Sequence, residues 1–232
     1  MAATAIPTTP LSQNDTRILQ ALFDPEPLPS QDVAPINPSL PSLPALPEPT
    51  FTALEAGQTT LILTIESNPT VPTLASALSQ LDTTISQTPL YPSAYLNRAM
   101  LSRMHFSLTS PDTPLPAAPH PFLAHLFTDL ARAIHLASPS SPTDAASPYQ
   151  ARILRTAYTH RAYLYLKCAE QGGGVEGRDA VELEELASKD FGDAVRWGAG
   201  GVERDMWVRT NPWRRMCGGI VREAIEGERG EC

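Results

Sequence analysis

Five histidines and three cysteines are the side chains of this 232-residue sequence with the most reactive chemistry to offer, and their spacing withholds it. His105, His120, His125, His135 and His160 are scattered. His125 and His135 share a helical segment but lie out of phase, and no HExxH occurs, so no metal site is expected. Gly172, Gly174 and Gly177 have GxGxxG spacing. A dinucleotide site needs a strand before such a loop; here a helical pattern precedes it, so QGGGVEG reads as a connector. No GxSxG occurs. Cys168, Cys217 and Cys232 form no CxxC, and Cys217 sits on an apolar stripe. The reading is therefore of a chain that is not an enzyme, with no catalytic residues and no cofactor. What remains is amide, hydroxyl and cationic side chains. Brought onto one face, such groups could hold a carboxylate or a polar segment of another protein.

Helices must position them. The 24 prolines are uneven, with 11 in residues 1–50 and only Pro212 after Pro148. That distribution describes a disordered Pro-rich head, a middle with proline stops and a helical second half. Helical periods are expected at 51–66, 72–87, 92–106, 122–137, 149–169, 179–197, 202–209 and 212–226. The run LILTI (61–65) suits a strand as well as a helix. A short amphipathic helix is expected at 16–23, and 25–49 reads as an extended tether. Segments 107–121, 138–148 and 170–178 read as loops. The expected organisation is a head over 1–50, a repeat domain with a capping helix over 51–226 and a tail over 227–232.

Net charge is −8. Residues 1–149 hold 4 Lys+Arg against 11 Asp+Glu, and residues 150–232 hold 13 against 14. No basic field is left for a nucleic-acid backbone. No apolar run spans a membrane, and the start has no secretory pattern. A reduced cytoplasmic or nuclear compartment and a monomer fit these features. Arg204, Arg209, Arg214 and Arg215 interleave with Glu203 and Asp205, as on a solvated face. Ser/Thr-Pro steps at 9, 88, 110, 113, 138, 141 and 147 are possible kinase targets.

The helices repeat in pairs. Tyr158, Ala162 and Tyr165 precede Ala187, Phe191 and Ala194; Tyr95 and Ala99 precede Leu130 and Ala133; Ala77, Leu81 and Thr84 belong to the first pair. A small residue in the first helix and a small–large–small triplet in the second form the tetratricopeptide pattern. Leu126 stands where a small residue is usual. RILQALFDPEP (17–27), SAYLNRAM (93–100) and NPWRRMC (211–217) resemble segments of the tetratricopeptide repeat protein 36 family. That resemblance covers about 16–27 and 51–226. It implies an all-α, right-handed α-solenoid of about three helix pairs with a C-terminal cap. It also implies a binding module that engages Hsp70-type chaperones, with a link to regulation of tyrosine breakdown.

Some tetratricopeptide domains clamp a chaperone's C-terminal carboxylate with Lys and Asn side chains. Asn97 matches one clamp position, Thr156 and His160 replace the Lys and Arg of another, and Gln58 is the nearest candidate in the first pair. The clamp is incomplete, so binding would need another mode or help from Arg98, Arg152 and Arg155. A co-chaperone or adaptor is expected; the alternative is a scaffold subunit of an assembly with no chaperone role.

Overall fold

A computed structural model of the chain describes residues 33–141, 143–172, 175 and 177–211. Among them the regular elements are seven α-helices and one short 3-10 turn at Leu115–Ala117. The helices are α1 (Glu48–Ser67), α2 (Val71–Gln87), α3 (Pro92–Thr109), α4 (His120–Ala137), α5 (Pro148–Glu170), α6 (Ala180–Arg196) and α7 (Gly201–Thr210). The LILTI run lies inside α1, so helix prevails there over strand. The expected helices at 16–23 and 212–226, with Trp213, Cys217 and the tail, lie outside the described residues. No helix among the described residues is long and apolar enough to cross a membrane.

Prolines start these helices more than they stop them. Each of α1 to α5 carries Pro at its first or second position. A missing N–H costs nothing there, and the fixed φ suits the first turn. Ser147 and Gln150 close a capping box on α5, as Asp179 and Glu182 do on α6. Ser147 is fully buried, and its hydroxyl donates to Ser42 O at 2.7 Å. As a kinase target it is therefore out of reach, which corrects that expectation for this one step. Gly198, at φ +87°, turns the chain out of α6 in the left-handed region.

Each helix packs on the next, and α3 also touches α5. The contacts are made by small residues. Ala133, Ala157, Ala162, Ala187 and Ala194 are all at 0% exposure, which lets backbones approach. Leu74, Leu81, Leu130, Leu154 and Leu183 fill the spaces between them. Of the expected triplets, Ala187, Phe191 and Ala194 are buried, as are Leu126, Leu130 and Ala133; Thr84 is half-buried.

Residues 33–47 depart from the expected tether. They form a strap that is docked on the helices. Ala34 N donates to Arg196 O at 3.0 Å, Asn37 N to Ala146 O at 2.9 Å, and Ala146 N to Pro35 O at 2.9 Å. Ala34 and Leu43 are buried in the core. The strap thus ties the end of α6 and the start of α5 to the entry of α1.

Candidate functional site

Glu55 on α1 links that helix to α3 and α5. One carboxylate oxygen accepts from Tyr91 Oη (2.5 Å) and Ser93 Oγ (3.3 Å); the other accepts from Arg152 Nη2 (2.8 Å). Ser93 shares a further 2.8 Å hydrogen bond with Tyr149 Oη. Burial, with smaller electrostatic contributions, pushes both phenols far above their ordinary range. They act here as neutral hydroxyls that hold α1, α3 and α5 in register.

One turn along α1, Gln58 is 7% exposed and accepts a 2.6 Å hydrogen bond from Asn97 Nδ2. Thr156 lines the same cavity, of about 210 Å³, as do Arg152 and Ile62. The structure therefore brings together Gln58, Asn97 and Thr156. Their polar groups are already engaged: Gln58 with Asn97, Thr156 with Arg152 O at 2.9 Å, and Arg152 with Glu55. Arg155, counted on for support, reaches Gly198 O at 3.3 Å instead.

Arg98 does not join that face. A neighbour in a helix points about 100° away, and Arg98 turns toward α2 and α4. Its Nε and Nη2 donate to the two oxygens of Asp129 at 2.8 and 2.6 Å, and its Nη1 donates to Asp82 at 2.8 Å. Arg161 repeats the device one pair later, bonding Asp190 at 2.6 and 2.8 Å. Each arginine also lies over a tyrosine ring, Arg98 over Tyr95 at 5.7 Å and Arg161 over Tyr158 at 5.5 Å. The sequence carries this repeat as Tyr95-x-x-Arg98-Ala99 with Asp129-Leu130-x-x-Ala133, and Tyr158-x-x-Arg161-Ala162 with Asp190-Phe191-x-x-Ala194. These arginines clasp helices together.

His160 sits one turn beyond Thr156, in a small recess with Met100, Arg103 and Leu164. Burial, then the Arg103 charge, pushes its pKa down from 6.5 to about 4. The folded protein holds it neutral. Between pH 6.5 and 4 the unfolded chain takes up a proton that the folded chain refuses, so stability is complete above pH 6.5 and drains away as pH falls. This contribution is expected to be at most about 3 kcal/mol. Denaturation of wild type and His160→Gln at pH 7.5 and 4.5 checks it: the variant should lose less, and equal losses would remove His160 as the cause.

Beside the polar cavity an apolar one of about 380 Å³ opens between α1 and α3, lined by Ile62, Ile65, Met100, Leu101 and Met104 among others. Ile62 is 39% exposed and its neighbour Leu63 58%. Methionine is an adaptable surface for a partner. The expected site did not include these residues, although Leu61 and Ile65 mark the α1 face they border.

L-tyrosine degradation gene cluster protein hmgX of Aspergillus fumigatus is 39% identical over 240 residues, covering 94% of this chain and 93% of its own length. The chain belongs to the hmgX family. No family model matches the chain, and no solved structure does. The likeness to tetratricopeptide repeat protein 36 thus rests on residues and spacing.

Proposed function

We propose that this member of the hmgX family is an adaptor that binds a protein of tyrosine breakdown through the face made by α1, α3 and α5. The helices are read as three tetratricopeptide pairs, α1/α2, α3/α4 and α5/α6, stacked in a right-handed solenoid with α7 starting the cap. Sequential packing with an added α3–α5 contact supports that arrangement. The Tyr-x-x-Arg-Ala repeat, with its matching Asp, supports it further. The relative's name supplies the pathway.

The observation that carries the reading is the Met- and Ile-lined cavity beside the Gln58–Asn97 pair. An open apolar patch with a polar border suits a protein partner. The internally engaged amides favour an apolar anchor over the capture of a chaperone's terminal carboxylate. The role involves no catalytic step and no cofactor, and it suits the cytoplasm or nucleus.

Affinity purification with the full chain, against Ile62→Asp and Met100→Asp, tests this. Wild type should retain an enzyme of tyrosine breakdown, and each variant should lose about 10-fold or more in affinity; Ile62→Asp, at a 39% exposed position, should melt like wild type. Binding that survives both substitutions would move the partner off this face. If Hsp70 is retained and an acidic Hsp70 C-terminal peptide competes it away, the chaperone-tail mode displaces this one.

A further inference from the structure

Farther along α3 and α5 lies a second recess, of about 170 Å³, closed on one side by the Pro-rich segment after α3. Arg103 and Lys167 both border it, at 5.3 and 5.7 Å from the Tyr163 ring centre. Ser107, Thr113 and Gln171 add neutral polar groups, and none of the lining residues is acidic. In a chain of net charge −8 that is a local reversal. The Nε of Arg103 is buried and has no hydrogen-bond partner. Its counterparts Arg98 and Arg161, on the same two helices, each hold a carboxylate in a fork. Lys167 has a carboxylate only at the rim, Glu170 at 2.7 Å, and that pair is exposed.

A buried cationic N–H without an acceptor is costly. A guanidinium beside an ammonium and hydroxyls is the usual setting for a phosphate or carboxylate. Phe106, Pro111 and Leu115 supply an apolar wall. We propose that this recess is an oxyanion site, which takes the phosphate or carboxylate of a ligand that carries that group on an apolar or aromatic stem. The Arg103 guanidinium donates to the anion from the wall of the recess, Lys167 neutralises it from the rim, and the Tyr163 ring holds both cations in place. The site uses none of the residues that line the apolar cavity, so it stands apart from the adaptor reading.

The test is calorimetric titration of the full chain with phenyl phosphate and, separately, benzoate, at low salt. Tighter binding of phenyl phosphate assigns a phosphate; tighter binding of benzoate assigns a carboxylate; either supports the site. Lys167→Gln, at a partly exposed position, should weaken binding about 10-fold without altering the melting temperature, and Arg103→Gln should weaken it further. Glu170→Gln should strengthen binding by freeing Lys167. Failure of both probes to bind at about 10 mM overturns the proposal. So does binding that is indifferent to Lys167→Gln and Arg103→Gln in variants that melt like wild type.

Discussion

Asp190→Ala is expected to cost about 3–5 kcal/mol, the usual penalty for removing one partner of a buried ion pair. The carboxylate is 4% exposed and the Arg161 side chain 21%. Truncation leaves a guanidinium between α5 and α6 with its fork empty, in a place where water cannot fully replace the acid. For a domain of this size the melting temperature should fall by roughly 10–15 °C. Arg161→Met combined with Asp190→Leu should recover much of the loss, because the penalty lies mostly in the stranded charge. Asp129→Ala should cost less: Arg98 keeps Asp82 and its side chain is 27% exposed. A melting temperature for Asp190→Ala within about 2 °C of wild type would show that the fork does not hold the two helices.

Trp207→Ala should cost about 3–5 kcal/mol, as large aromatic truncations in cores do. Trp207 is 6% exposed and closes a cluster with Ala162, Leu166, Ala187 and Phe191. Gly192 admits it: a Cβ at that position would stand 3.2 Å from the indole. Without the ring, α7 keeps only Met206 against that cluster among the described apolar residues, and the ends of α5 and α6 are opened to water. Thermal denaturation together with amide exchange reads the result. Protection should fall first in α7 and then along α6. Loss confined to α7, with an unchanged melting temperature, would make the tryptophan local in its effect.

The helices were legible because apolar residues recur at helical spacing and prolines bracket them. The Ala-rich contacts were legible for the same reason, since a small residue between two bulky ones has few other uses. The strap was not. Ala34 and Leu43 lie in a proline-broken run with no helical or strand period, and backbone hydrogen bonds, which any side chain permits, do much of the docking. On the face made by α1, α3 and α5, Asn97 and Gln58 were placed together through repeat position; Arg98 was set with them because adjacent residues look alike in a linear sequence, and it turns toward α2 and α4 instead. Glu55 was invisible. Its partners lie 36 to 97 residues away in sequence, and nothing local marks it. Asp129 and Asp190 read as ordinary polar positions. The available signal was the arginine that precedes the small alanine in both helix pairs.

Helices that pack in sequence, each mainly on the next, can fray from either end and fold from any point. The strap removes that freedom. Residue 34 is bonded to residue 196, and residue 37 to residue 146. These closures cannot form until α5 and α6 are in place, so docking of the strap comes late in folding. The entropy of closing so long a loop grows only slowly with its length, so a few hydrogen bonds and two buried side chains suffice. Once closed, α1 and the α5–α6 end are expected to lose stability together, in one cooperative transition.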